Sequence, residues 1–237
     1  MSDKRCCPTD KGVPDVEYAP AGVTYYMVGP VDSKKGVLIV GDIFGIDIDN
    51  SKRYLDKLAA EGFLVVFPDF FGKKAWPVNN WPPDFESESW KVFHTYITDI
   101  DHHMKVANQT AKMMRQLGVQ KICSVGMCWG TGVALRLAKE KTVDAILTAH
   151  PSFFTPESLE GYSGPIGVLF SKDEPHQEEI RAALKNHPSK AVCETYDKLD
   201  HGFLAARYEY EEGNEEQKKQ LDAAEKSSFD FLHEVLK

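Results

Sequence analysis

The chain has 237 residues, 42% of them hydrophobic, which is enough for one large α/β domain or two small ones and excludes disordered and fibrous proteins. Its net charge of -8, with lysines scattered along the chain, argues against a nucleic-acid partner. No apolar run has the length of a membrane span or a signal peptide, so we expect a cytoplasmic protein without a membrane partner. The five cysteines lack the spacing of a disulfide framework, which fits a reducing compartment.

The first 22 residues are rich in proline, glycine and aspartate, and we expect an irregular arm over 1–22. Cys6 and Cys7 lie in this arm and could form one half of a metal or redox site. Because neither a C-x-x-C spacing nor a matching histidine pattern accompanies them, a terminal pair without such a role is the simpler interpretation.

Apolar runs that alternate with helical patterns predict an α/β fold with a mostly parallel central sheet and helices on both faces. Predicted strands cover 23–27, 36–41, 63–67, 122–127, 143–149, 165–170 and 191–196. A first predicted helix begins at a cap formed by Asn50-Ser51. Further helices are predicted over 87–117 (one helix or two), 130–139, 177–186 and 221–236. No internal repeat or linker divides the chain, so we expect a single domain over 1–237.

The segment 69–90 differs from its surroundings, because four aromatic residues alternate there with prolines and asparagines: Trp76, Trp81, Phe85 and Trp90. So long a loop in a compact domain is uncommon unless it lines or covers a site. A packed surface excursion is the alternative, and the sequence alone leaves both open.

The pattern Gly126-x-Cys128-x-Gly130 follows a predicted strand and precedes a predicted helix. It has the form of the nucleophile elbow G-x-S-x-G, with a thiol in place of the hydroxyl. Glycines are needed on both sides because the sharp turn brings neighbouring backbone close, and the helix N-terminus favours a thiolate. The alternative is a buried structural cysteine at an ordinary β-α turn.

A cysteine nucleophile needs a base and a group that orients the base. Asp173 and His201 follow Cys128 in the chain order nucleophile, acid, histidine, and each comes just after a predicted strand. We therefore predict Cys128, Asp173 and His201 as the catalytic residues. Other acids and histidines near these positions fit the order or the geometry less well: Asp197, Asp200, His150 and His176.

Hydrolysis of an ester or lactone also needs two donors for the oxyanion. The backbone amide after the nucleophile belongs to Trp129, and Ile43, after an earlier strand, is the natural second donor. Asp42, beside Ile43, is a candidate for sharing a proton with the thiol, because burial would raise its pKa. A loop-bracing carboxylate is the alternative role for Asp42.

Four motifs together resemble the dienelactone hydrolases (carboxymethylenebutenolidases): Asp42–Gly45, Pro68–Gly72, Gly126–Gly130 and His201–Phe203. The resemblance extends from about Gly36 to Phe203, and the early cysteine pair and arm are more similar to the eukaryotic branch than to the bacterial lactonases. It implies an α/β-hydrolase fold and a thiol hydrolase with the catalytic and oxyanion residues named above.

Bacterial members carry glutamate where Asp42 stands and hold a substrate carboxylate with two arginines. The loop over 76–90 contains no arginine, and Arg207 is the downstream candidate. We therefore expect an aromatic mouth that suits an apolar or sugar-like acyl or lactone compound. The candidate substrate-binding residues are Phe44, Trp76, Trp81, Phe85, His150, Phe203 and Arg207, with Trp129 as a further wall.

The sequence thus predicts a cysteine-dependent hydrolase of a small ester, lactone or thioester that needs no cofactor or metal and is a monomer or homodimer. His102 and His103 are adjacent on a helix and point about 100° apart, so they do not form a metal pair. A ligand-binding or regulatory module on a hydrolase scaffold is the alternative function, and redox sensing by Cys128 is a third possibility.

Overall fold

The computed structural model describes residues 22–72, 74–209 and 214–237. Cys6, Cys7 and nearly all of the expected arm over 1–22 lie outside these residues. Seven strands form one sheet in the order β1-β3-β2-β4-β5-β6-β7. The strands are β1 Tyr25–Val28, β2 Lys35–Val40, β3 Leu64–Pro68, β4 Lys121–Met127, β5 Ala145–Ala149, β6 Ile166–Phe170 and β7 Ala191–Thr195.

All neighbouring strands of this sheet are parallel except β1, which pairs antiparallel with β3 at one edge. The helices are α1 Asp49–Ala60, α2 Glu88–Thr98, α3 Ile100–Gln116, α4 Gly130–Lys139, α5 Gln177–Leu184 and α6 Glu215–Val235. The predicted α/β fold with a mostly parallel sheet is confirmed. None of the helices in the described ranges has an apolar stretch long enough to cross a membrane.

The sheet separates two hydrophobic layers. Leu38 and Val40 of β2 pack with apolar residues of α2, α3, α4 and α5, whereas Val37 and Ile39 pack with those of α1 and α6. Successive side chains of a strand point to opposite faces, so a strand covered on both sides has to be apolar throughout. This burial explains the continuous apolar run that predicted β2.

Several element boundaries differ from the sequence-based expectation. Helix α1 begins at Asp49 after Ile48, without a side-chain cap, rather than at a cap formed by Asn50-Ser51. The segment 87–117 forms two helices because Asp99 ends α2 and caps α3, accepting a hydrogen bond from the amide of His102 at 3.1 Å. Helix α6 begins at Glu215, six residues before the predicted start, and Asn214 caps it.

The carboxyl ends of the parallel strands meet at one edge of the sheet. The loops after β2, β4, β5, β6 and β7 carry the residues that the sequence marked as chemical candidates. Open α/β sheets place their ligand sites at this edge.

Candidate active site

Cys128 lies between β4 and α4 with a φ of 53°, in the left-handed region that a non-glycine residue rarely adopts. The flanking glycines make this turn possible. A Cβ added at Gly130 would lie 2.0 Å from the carbonyl oxygen of Val40, and one at Gly126 would lie 2.7 Å from Cα of Thr131. The strained cysteine and the two crowded glycines form the predicted strand-turn-helix elbow.

The imidazole of His201 is held by Glu174. Nδ1 of His201 lies 2.8 Å from Oε1 of Glu174, whose side chain is only 2% exposed. The hydroxyl of Ser171 donates to the same carboxylate oxygen at 2.8 Å, and the Ser171 amide donates to the other. The carboxylate therefore has a fixed orientation against the ring.

This geometry corrects the predicted role of Asp173. Asp173 is exposed, and its carboxylate accepts a hydrogen bond from the backbone amide of His201 at 3.0 Å, not from the ring. In the turn after β6 the Ser171 hydroxyl accepts from the Asp173 amide and donates to Glu174, which directs the second acid inward. Sequence order alone cannot distinguish two adjacent acids, and the glutamate was missed for this reason.

The charge state of His201 follows from its partners. Burial alone would lower its pKa, but hydrogen bonds to Cys128 and Glu174, with their negative charge, raise the pKa of His201 to about 10. The ring is therefore an imidazolium at neutral pH. An imidazolium beside a thiol stabilises the thiolate form.

Asp42 connects the loop after β2 to the segment after His201. One carboxylate oxygen accepts from the amide of Phe44 at 3.0 Å, and the other accepts from the amide of Ala206 at 3.2 Å. Burial raises the pKa of Asp42 to about 6, and the two amides and the charge of His201 oppose this rise. These bonds support the loop-bracing alternative, while the exchange of a proton with the thiol remains a prediction.

The two predicted oxyanion donors flank the elbow region. Ile43 lines the same cavity as Cys128, and Trp129 directly follows Cys128. Neither backbone amide donates to another residue of the described ranges. The oxyanion role of both amides therefore remains a prediction.

A cavity of about 170 Å³ opens beside the thiol. Its walls are Asp42, Ile43, Phe44, Trp81, Cys128, His201, Gly202, Ala206 and Arg207. Arg207 is exposed, its stem crosses Gly202, and it forms no ion pair with any other described residue. The wall thus combines the aromatic side chains of Phe44 and Trp81 with the guanidinium of Arg207.

Three of the predicted mouth aromatics do not line this cavity. Trp76 is 8% exposed and packs against Trp90 and Phe93 in the core, and Trp129 is also buried, with Nε1 donating to the carbonyl of Ile97 at 2.8 Å. Phe85 is exposed but packs on Trp90 away from the cavity. Trp81 is the predicted mouth aromatic that lines the cavity, and the aromatic spacing alone could not show which rings face inward.

His150 and Phe203, predicted to contact substrate, are buried behind His201. The ring of His150 is fully buried and lies edge-on, 4.8 Å from the His201 ring and 5.4 Å from that of Phe203. Neither residue lines the cavity. The same loop contributes a residue that the sequence analysis did not single out: the Ser152 hydroxyl lies 3.3 Å from the sulfur of Cys128.

The adjacent histidines of α3 lie in different surroundings. His103 is buried, with Nε2 lying 3.0 Å from the carbonyl oxygen of Tyr96, whereas His102 is exposed. Within the described ranges, no group of three histidine, cysteine or acidic side chains is arranged to hold a metal ion.

Known proteins are similar to this chain in sequence or in fold. A sequence model of the dienelactone hydrolase family matches residues 23–236. An uncharacterized AIM2 family protein of Schizosaccharomyces pombe is 31% identical, over 98% of this chain and 99% of that protein, and the hydrolase pyvD of Aspergillus violaceofuscus is 31% identical, over 76% and 75%. A solved dienelactone hydrolase from Anabaena variabilis has the same fold, with a TM-score of 0.60 and 15% identity, over 91% of this chain and 93% of that one.

The family match spans every strand and helix that builds the site, and the sheet order and the cysteine elbow agree with it. The chain belongs to the dienelactone hydrolase family, within the α/β-hydrolase superfamily.

Proposed function

We propose that this hydrolase, which acts on carboxylic ester or lactone bonds, cleaves a small ester, lactone or thioester through an acyl intermediate on Cys128. One observation carries the proposal. A thiol on a strained elbow faces an imidazole that a buried carboxylate orients and that is protonated at neutral pH. This arrangement supplies a nucleophile, a proton donor and a group that holds the donor in place.

In the first half of the reaction, the thiolate of Cys128 attacks the carbonyl carbon and forms a carbon-sulfur bond. The carbonyl electrons move to the oxygen, and we assign its stabilisation to the amides of Ile43 and Trp129. When the carbonyl forms again, the bond to the leaving oxygen breaks and His201 gives that oxygen its proton. A lactone stays attached as an opened acyl chain, whereas an ester releases its alcohol.

In the second half, neutral His201 takes a proton from a water molecule that attacks the thioester carbon. The carbon-sulfur bond breaks, the carboxylic acid leaves, and the thiolate and imidazolium are restored. Glu174 keeps Nδ1 of His201 protonated through both halves, so Nε2 is the nitrogen that exchanges the proton.

The cavity indicates a compact substrate. A volume of about 170 Å³ holds a small acyl group or lactone ring, and Phe44 and Trp81 offer aromatic surface, their ring centroids 5.9 Å apart in an edge-on arrangement. Arg207 adds a positive charge to the same wall. A small apolar ester or lactone that carries an anionic group fits these features better than a neutral sugar-like one.

Replacing Cys128 by alanine tests the proposal. We expect kcat for an activated phenyl ester and a small lactone to fall at least about 1,000-fold, because the variant lacks the nucleophile that forms the acyl intermediate. Cys193→Ala is the matched control, since that thiol lies on β7 and does not line the cavity. Undiminished turnover by folded Cys128→Ala, beside a normal control, would contradict the proposal.

We predict that Arg207 gives the enzyme a preference for substrates that carry a negative charge. Arg207→Ala should raise KM for a carboxylate-bearing lactone about 10- to 100-fold, the usual range for a lost charged hydrogen bond, and change KM for its neutral methyl ester less than about threefold. Steady-state kinetics with the two compounds give the comparison. An equal change in KM for both compounds would show that Arg207 does not recognise the anionic group.

A further inference from the structure

The loop after β5 contacts both Cys128 and His201, which we call the reacting pair. It contains His150, Pro151 and Ser152, and we call it the β5 loop. The amide of Ser152 donates to the carbonyl of Cys128 at 3.1 Å, and the amide of Cys128 donates to the carbonyl of Ala149 at 3.2 Å. One backbone bond therefore joins the loop to Cys128, and a second joins Cys128 to the last residue of β5.

Within this loop the Ser152 hydroxyl lies 3.3 Å from the Cys128 sulfur, within hydrogen-bond distance for a sulfur acceptor. A hydroxyl can donate one hydrogen bond, and a thiolate is a far better acceptor than a thiol because it is charged. Either atom can donate in this contact, and the hydroxyl is the donor when the sulfur is ionised.

His150 has features that ordinary core packing does not explain. Its φ of 40° is in the strained left-handed region, and its ring is fully buried without a well-formed hydrogen bond from either nitrogen to any other described residue. Buried polar groups are nearly always paired, and an unpaired one points to a functional constraint. Its ring meets the His201 ring edge-on, with centroids 4.8 Å apart.

The charge state of His150 fits a neutral ring that packs against His201 better than a catalytic base. Burial and the positive charge of His201 lower the pKa of His150 well below its usual value, and its weak polar contacts with nearby backbone offset only part of this. The ring stays neutral where a second imidazolium would repel the first. The buried ring of His150 packs edge-on against the ring of His201 and so restricts how the His201 ring can rotate.

We propose that the β5 loop positions the reacting pair: the Ser152 hydroxyl donates a hydrogen bond to the Cys128 thiolate, and the neutral ring of His150 holds the imidazole of His201 toward the sulfur. Ser152 touches a reacting atom, whereas His150 is a positioning residue that acts through His201. The inference rests on the proposed role of Cys128 and adds two residues to it.

Alkylation of Cys128 by iodoacetamide, measured across pH, tests the serine without any substrate. Ser152→Ala should move the acid limb of this profile to higher pH, so that the alkylation rate on that limb falls about tenfold, while the rates converge at high pH. Ser152→Thr should restore the wild-type profile, and Ser163→Ala, on an exposed loop, is the control. A Ser152→Ala profile that coincides with wild type would overturn the proposal.

This profile depends on the groups that face the pair, all of which stay in place in the serine variants. They are Glu174 and Asp42 beside His201, His150 behind it, Asp173 at its amide and Arg207 near His150. Because the readout is alkylation, it can succeed or fail independently of hydrolysis. Failure of the proposed function would appear instead as undiminished hydrolysis by Cys128→Ala.

The histidine is tested by replacing its ring. His150→Ala should lower kcat about tenfold or more with KM within twofold, and His150→Phe, which keeps a flat ring, should recover most of kcat. If His150→Ala does not fold, the phenylalanine variant still decides. An alanine variant as active as wild type, or a folded phenylalanine variant that loses kcat tenfold, would overturn the positioning role.

Discussion

At the residue scale, His201 has two acidic neighbours from one loop. One contacts its imidazole ring and the other its backbone amide. Glu174 is buried and meets the ring, whereas Asp173 is exposed and meets the backbone amide. A carboxylate that contacts the ring fixes its tautomer, and one that contacts the amide fixes only the loop. The two acids should therefore contribute very differently to catalysis.

We predict that Glu174→Gln lowers kcat about 100- to 10,000-fold, because the amide leaves the ring free to adopt the wrong tautomer. Asp173→Asn is the matched control and should change kcat less than about threefold, since its side-chain oxygen still accepts from the His201 amide. Steady-state kinetics with thermal melts separate catalysis from folding. A larger loss of kcat in Asp173→Asn than in Glu174→Gln would instead assign the orienting role to Asp173.

The pH dependence of activity follows from His201. Its pKa lies at about 10, so the proton that it gives to the leaving group is present at neutral pH and is lost as the pH rises through about 10. We expect kcat/KM to hold across neutral pH and to fall on the alkaline side near pH 10. A fall centred near the ordinary histidine value of about 6.5 would contradict the ion-paired state.

At the element scale, the site depends on how closely α4 approaches β2. The backbone of Gly130 at the start of α4 lies against the carbonyls of Val40 and Gly41, and any side chain would collide with them. This approach sets the elbow and brings the start of α4 against the end of β2 and the residue that follows it. The glycine is therefore required by helix-strand packing as well as by the turn.

Two glycines of α4 give a matched pair for stability. Gly130→Ala should lower the free energy of unfolding by about 2–4 kcal/mol, because the new Cβ must push the helix away from β2. Gly132→Ala meets no atom within 4 Å and should stabilise the helix by up to about 1 kcal/mol. Urea denaturation measures both, and similar effects at the two positions would contradict the packing argument.

At the scale of the whole molecule, hydrophobic pattern and chain order predicted the fold and the loops that carry the site. The apolar run of β2 and the glycines around Cys128 report constraints that are local in sequence, so they could be recognised without coordinates. Three features depend instead on the directions in which loop side chains point. Glu174 rather than Asp173 contacts the His201 ring, Trp81 rather than Trp76 lines the cavity, and Ser152 contacts the sulfur. Those directions are set by tertiary packing.

Asp42 links the site to the stability of the whole fold. Its folded pKa of about 6 is above the unfolded value near 3.9, so its contribution to stability is full below the unfolded value and is lost as the pH rises through about 6. Relative to Asp42→Asn, wild type should lose about 3 kcal/mol between pH 3.5 and pH 7. Urea denaturation across this range checks it, and a difference that does not change with pH would contradict the raised pKa.

The most direct test of the account is to find the acyl group. Wild-type enzyme is mixed with an activated ester, quenched in acid within the first turnover, and analysed by intact mass and peptide mapping. We predict one added acyl group on the peptide that contains Cys128, formed at the rate of the product burst. A burst without an adduct, or an adduct on another residue such as Ser152 or Cys193, would contradict the assignment of Cys128 as the nucleophile.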